Sequence, residues 1–477
     1  MSKLPNQFLT KWINLLVFVF CISVLAFNRH GGEAAIILLF TMVYLFITKN
    51  DDRPAYKLNG NEIIFISLVI LYWLVNLLSV FLQPEGLEYE STRRAIKAMD
   101  NMMRWLLMLP IFFLFRRYKL NWRGISIGLS IGVFITVGIA IYEVHFLGVE
   151  RASGGINQAI AFGEIMVVVD LLLWVFMIIA LDKNEKLLAA FLLISSLVAF
   201  YGSLLSLTRG AWLAYVFLML GFILYTVKRS LFNKKYIFSK PILLRIFFAF
   251  IVFFAVSQTE QFKVIEERTV VTVTQASQGE YDSASGDRMA IFRTAIDIFR
   301  HYPFGVGTNN FQTGANAIII LHAIDNENVE VRNQDNEVLN KADLKSNMKK
   351  YSYLQSYNNG CYFCPGDGSI EFTSKFEHAH NEWLNVLAEN GVAGIILLTL
   401  LFVFPIKIFW QNLNHENSLV GAYSFCGILL VVSYAIFGQS QAIFSSHVVL
   451  IFFIFFLFLF IAQISRLSNI DDKNDSA

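Results

Sequence analysis

Two histidines one residue apart, His378 and His380, close the one long polar segment of an otherwise apolar chain and stand directly before a hydrophobic run. Asn381, Glu382 and Glu389 follow closely. A titratable cluster at a membrane boundary is costly unless it is paired or used. Histidine accepts a proton near neutral pH, so His380 at a water–membrane edge could deprotonate an acceptor hydroxyl that attacks an activated group. The structural alternative is a histidine capping a helix that starts near Glu382. Arg209 sits where two apolar runs meet with almost no loop, in Ser203-Leu-Leu-Ser-Leu-Thr-Arg-Gly-Ala-Trp-Leu-Ala214. Arg288, in Ser285-Gly-Asp-Arg288, opens an amphipathic stretch. Guanidinium forks bind phosphate oxygens bidentately and stabilise charge that builds on a diphosphate leaving group. Each arginine also has a bland reading: Arg209 as a side chain snorkelling to headgroups, Arg288 as half of a surface ion pair with Asp287 or Glu280. No acidic pair of metal-binding type accompanies these residues; Asp51-Asp52 falls on the other side of the membrane in the orientation derived below. The chemistry expected is therefore metal-independent and without a cofactor, the arginines replacing the magnesium that nucleotide-sugar enzymes usually use.

The elements that must hold these residues are membrane spans. Of the 477 residues 56% are hydrophobic and 16% charged, against about 25% charged in a soluble protein. Apolar runs near 18–20 residues recur from end to end, each long enough for a bilayer core of about 30 Å. This patterning predicts an all-α polytopic membrane protein of about twelve transmembrane helices, near 12–27, 33–48, 62–82, 103–115, 125–147, 159–181, 187–205, 210–227, 241–257, 391–410, 418–437 and 442–464. The first run lacks a small-residue cleavage site and reads as a retained helix. Lys49, Arg53 and Lys57, then Arg116, Arg117, Lys119 and Arg123, then Lys183 and Lys186, then Lys228, Arg229, Lys234, Lys235 and Lys240 all follow even-numbered spans. Both termini are therefore expected in the cytoplasm. The chain divides into spans 1–9 over 1–257, one large external loop over 258–390, and spans 10–12 with a short tail over 391–477. That loop lies in the periplasm if the cell is Gram-negative. The net charge of +2 is absorbed by this topology and gives no nucleic-acid signal; the expected general partner is membrane lipid.

Cys361 and Cys364, in an external Cys-Tyr-Phe-Cys-Pro, read as a disulfide in an oxidising compartment. The rival zinc reading, with His378 and His380, fits poorly, because zinc-binding histidine pairs usually have three to five residues between them. Residues 83–102, with Arg93, Arg94 and Lys97, read as an amphipathic surface helix that either anchors to headgroups or guides an anionic lipid-linked substrate. Gly148–Gln158 is a Gly-rich turn that either converges backbone N–H groups on an anion or simply permits a tight re-entry. Met289, Ile291, Phe292, Ile296, Ile298 and Phe299 give an amphipathic helix to about His301, which Pro303-Phe-Gly-Val-Gly-Thr-Asn-Asn310 ends. Residues 320–375 are polar and Asn-rich, without clear periodicity.

Three stretches carry a resemblance: Thr208-Arg-Gly-Ala-Trp212, Gly286–Phe311, and His378-Ala-His-Asn-Glu-Trp-Leu-Asn-Val-Leu-Ala-Glu-Asn-Gly-Val-Ala-Gly394. Together, in this order, they resemble the O-antigen ligase, O-antigen polymerase and protein O-oligosaccharyltransferase superfamily of polytopic glycosyltransferases. The resemblance implies a GT-C-like membrane fold and transfer of a glycan from undecaprenyl diphosphate, outside the bacterial inner membrane. It implies that Arg209 and Arg288 bind the diphosphate, that His380 is the base, and that His378, Asn381 and Glu382 support it. The acceptor differs within the superfamily: lipid A-core for a ligase, a second lipid-linked glycan for a polymerase, an exported protein such as a pilin for the oligosaccharyltransferases. The compact Thr-Arg-Gly-Ala-Trp and the His-Asn pair look most like the ligase branch. A polysaccharide transporter is the rival from another class. Transporters place ionisable groups near mid-membrane and show two similar halves; here the clusters are external and no repeat links the two halves.

Overall fold

The computed structural model describes residues 6–27, 32–48, 57–89, 91–156, 158–232, 283–325 and 377–475, with isolated positions between 254 and 342. Among these, the regular structure is helical: α1 (Asn6–Ala26), α2 (Glu33–Thr48), α3 (Gly60–Phe81), α4 (Thr92–Ala98), α5 (Asp100–Arg117), α6 (Trp122–His145), α7 (Ala159–Asp182), α8 (Lys186–Leu205), α9 (Arg209–Phe232), α10 (Ser283–His301), α11 (Phe311–Asp325), α12 (Glu382–Asn412), α13 (Ser418–Phe437) and α14 (His447–Asp475). Eight of them are long and apolar enough to cross a membrane, nine if α4 and α5, bent by 49°, form one span. The chain is a multi-pass membrane protein. Two further expected spans coincide with shorter apolar helices, α2 and the Arg209–Gly221 part of α9. The span expected at 241–257 lies almost wholly outside the described residues, as do the Cys361–Cys364 pair and most of 320–375.

Helix α14 explains the centre of the bundle. Every side chain from Phe452 to Leu459 is fully buried, which is the behaviour of a helix apolar on all faces. It packs on α5, α12 and α13, while α7, almost as apolar, packs on α8 and α13. At one end of α14, Gln463 donates to the Phe115 and Tyr118 carbonyls (2.6 and 3.0 Å) and accepts from Leu120 N (3.0 Å). These bonds satisfy the carbonyls left where α5 stops. Nearby, α3 begins with a capping box of Asn59 and Glu62, and Glu62 also takes Arg116 Nη2 at 2.9 Å.

The opposite end carries α10 and the stretch after it. Ile291, Ala295 and Ile298 of α10 are fully buried while Arg293 and Arg300 face outward, so the expected amphipathic helix forms and lies against α12. The expected surface helix at 83–102 is shorter than its pattern. It starts only at Thr92, because Gln83, Leu87 and Tyr89 are drawn into bonds with Val306, Asn310 and Thr308.

Helix α12 is longer than the expected span, beginning at Glu382, and it breaks at Gly391 (φ 62°). The Pro303–Asn310 stretch fills the break. Val306 N donates to Ala388 O (3.1 Å), Gly307 N to Glu389 O (2.9 Å) and Val392 N to Pro303 O (3.2 Å). Thr308 Oγ1 sits amid Asn76, Ser79 and Asn390 at 2.8–3.1 Å. The backbones approach so closely that a Cβ on Gly391 would lie 2.2 Å from Pro303 O. Gly391→Ala therefore combines a clash with a left-handed φ, a cost above ~1 kcal/mol. A clear fall in Tm in detergent is expected, whereas Gly138→Ala, with no atom within 4 Å of the added carbon, should not lower it.

Candidate active site

The short turn between α8 and α9 sets the first arginine. Leu207 adopts φ 51°, and α9 starts at Arg209, which is exposed at the helix N-terminus. Arg288 lies in the first turns of α10 and is also exposed. The two come together from 79 positions apart, with Glu150, Arg151, Thr208 and Ser440, around a cavity of about 190 Å³. Partial desolvation, then the neighbouring Arg209 charge, pull the Arg288 guanidinium below its ordinary value. Like charges held this close form a site that favours an anion.

Arg151 is one of two residues that sequence reasoning missed, Gln441 being the other. Arg151 Nε donates to Ser206 O (3.2 Å) and its Nη2 to Thr208 Oγ1 (3.3 Å), bracing the turn that ends at Arg209. The Gly-rich turn containing it does converge N–H groups on an anion, but an internal one: the Glu143 carboxylate accepts from Ser153 N (2.6 Å), Ser153 Oγ (2.9 Å) and Gly154 N (3.0 Å). The available signal was an arginine beside glycines at the mouth of a span.

The histidine segment is fixed from two sides. Asn381, not His380, caps α12, accepting from Leu384 N (3.0 Å) while its Nδ2 donates to Gln439 O (3.0 Å). Glu382 N donates to Gly438 O (2.7 Å), and the Glu382 carboxylate accepts from Phe444 N (3.1 Å). Ala379 N donates to Asn385 Oδ1 (3.0 Å). Glu389, deeper in α12, accepts from Asn309 N (2.9 Å). Both carboxylates are buried and hold backbone, so the acidic residues of the motif shape the segment.

That leaves His380 half-buried, held in the left-handed region at φ 49°, a conformation that a non-glycine residue keeps only where its surroundings enforce it. Its ring meets the His378 ring edge-on at 4.4 Å, and its Nδ1 lies 3.5 Å from Gln441 Oε1. An imidazole donating from Nδ1 to that carbonyl keeps its lone pair on Nε2. Burial holds His380 below its ordinary 6.5; the Gln441 bond pulls it back up and the Arg288 charge pushes it down. His378 falls to about 4, through burial and then the His380 charge. Both rings are thus neutral near pH 7, and His380 is in the form that accepts a proton.

His380 does not line the arginine cavity. It is joined to it through one turn, since Ser440 lines the cavity while Gln439 and Gln441 on either side hold Asn381 and His380. Among the described residues no group of three His, Cys, Asp or Glu could hold a metal ion.

Residues 194–340 match the family model described as O-antigen ligase, a stretch that includes Arg209 and Arg288 and stops before His380. The resemblance read from the motifs is borne out there. An uncharacterised protein of Haemophilus influenzae is 22% identical over 460 residues, covering 94% of this chain and 98% of its own length.

Proposed function

We propose that this protein is an O-antigen ligase, which moves a glycan from undecaprenyl diphosphate to a hydroxyl of lipid A-core at the periplasmic face of the inner membrane. The observation that carries this reading is the gathering of Arg209 and Arg288, with Arg151, around one cavity one turn away from His380. The acceptor hydroxyl gives its proton to His380 as its oxygen attacks the anomeric carbon. The bond from that carbon to the diphosphate oxygen breaks, and the diphosphate leaves as an anion matched by the guanidinium groups. Every charge in this step is met by the chain's own side chains, so no metal or cofactor is required.

Clustering of these groups at one end of the bundle favours transfer over transport. Glu164 and Asp170 are buried within α7, but neither lines the arginine cavity, and Asp170 is engaged by Ser196 Oγ at 2.5 Å.

The test is a deletion strain complemented with the wild-type gene, with the lipopolysaccharide ladder and exported glycoproteins read by gel. Loss of the ladder on deletion, with long glycans accumulating on the lipid carrier, is the expected result. A core bearing one repeat would make the protein a polymerase, and an unchanged ladder with a shifted glycoprotein would make it a protein glycosyltransferase.

A further inference from the structure

Among the described residues around the arginine cavity, two carry an uncharged side-chain hydroxyl, Thr208 and Ser440. Thr208 is committed to the fold: its Oγ1 donates to Ala159 O (3.2 Å) and accepts from Arg151 Nη2 (3.3 Å). Ser440 is half-buried, and its Oγ donates to Phe437 O at 3.3 Å, a long bond to a carbonyl three residues back. That carbonyl also takes Ser440 N (3.0 Å) and Gln441 N (3.1 Å), so it keeps two partners when the hydroxyl turns away. Swinging the Ser440 proton into the cavity therefore strands no acceptor.

The hydroxyl stands over the start of α9. A Cβ on Gly210 would lie 3.0 Å from Ser440 Oγ, so the glycine leaves room for the hydroxyl beside Arg209, at a helix N-terminus that favours an anion. The residues on either side of Ser440 are bound to the histidine segment, Gln439 O by Asn381 Nδ2 (3.0 Å) and Gln441 Oε1 by His380 Nδ1 (3.5 Å). We propose that Ser440 Oγ donates a hydrogen bond to a diphosphate oxygen of the glycan donor and so registers the leaving group against the turn that holds His380. This role rests on the reading of the arginine cavity as the diphosphate site. Ser440 keeps its proton throughout, and no covalent bond to it forms or breaks.

Titration calorimetry of inorganic diphosphate into the purified full chain in detergent tests this. The wild type should bind, and Arg288→Gln should weaken binding by at least about tenfold. Ser440→Ala should weaken it by about tenfold, as for a hydrogen bond to a charged group, with the Tm of the free protein unchanged. Gly210→Ala, whose methyl group crowds the hydroxyl aside, should weaken binding by a similar factor. Adding it to Ser440→Ala should cost nothing more, because both changes remove the same bond. Binding by Ser440→Ala within about twofold of wild type while Arg288→Gln is impaired would overturn the role of Ser440 and leave the arginine cavity standing. Effects that multiply in the double variant, or a fall in Tm that tracks the loss in Ser440→Ala, would make the residue structural and overturn the proposal too. No binding by the wild type, or binding that Arg288→Gln leaves unchanged, would overturn the diphosphate reading of the cavity and the proposal with it.

Discussion

His380→Ala is expected to abolish glycan transfer by the purified protein while leaving its expression, insertion and elution unchanged. General-base catalysis contributes roughly 10²–10⁴-fold, so residual activity should fall by at least two orders of magnitude. The imidazole is half-buried and lies outside the apolar core, so its removal takes no packing from that core. The pH dependence separates this role from a structural one. Because burial holds the His380 pKa below 6.5, the wild-type kcat/KM should be flat at neutral pH and fall only as pH drops through that lowered value and the base takes up its proton. The residual activity of His380→Ala should lack that acidic limb. Gln441→Leu, which removes the acceptor for Nδ1, should retain the limb at a lower maximal rate. Activity within a few fold of wild type in His380→Ala would remove histidine from the chemistry.

The second large effect is expected from the arginines. Replacing one with Gln removes a charge-assisted donor from a leaving group that carries its full charge only late in the reaction, and such deletions cost about 10²–10³-fold in kcat. Arg288→Gln should cost most, since its charge also reaches His380; without it the acidic limb should move toward higher pH. Arg209→Gln should reduce the rate without moving the limb. Arg151→Gln should act partly through the turn it braces, and Arg151→Lys, which restores charge but not the two-nitrogen brace, should rescue only partly. The double replacement of Arg209 and Arg288 should fall short of the product of the single effects, as expected for groups sharing one anion. Chelators should leave every one of these rates unchanged. Inhibition by a chelator, reversed by a divalent cation, would count against an arginine-only mechanism.

Much of this was legible in the sequence, for a physical reason. Long apolar runs and positive loops are dictated by the bilayer, so most spans and the amphipathic α10 follow from composition and period. Arg209 stood out because a guanidinium where two apolar runs meet is costly unless paired, and Arg288 because it lies in a stretch that carries the family resemblance. What the sequence hid is long-range pairing. Nothing in Gly148–Gln158 tells that Arg151 will reach the turn before Arg209, or that Glu143 will take the glycine-rich N–H groups. Gln441 was invisible for the same reason, since an uncharged amide gives no signal until the α13–α14 turn folds under His380. Glu382 and Glu389 sit beside the histidines in sequence, yet they spend their oxygens on the backbone of Phe444 and Asn309.

The clasp between Pro303–Asn310 and the break in α12 ties the helix that carries the histidine segment to the end of α10 through bonds made outside residues 326–376. Its two sides stand on either side of that stretch in sequence, so forming the clasp closes one long loop of chain. Doubling such a loop adds only about 0.6 kcal/mol of closure entropy. A longer or shorter connection between these two points would therefore cost the clasp little.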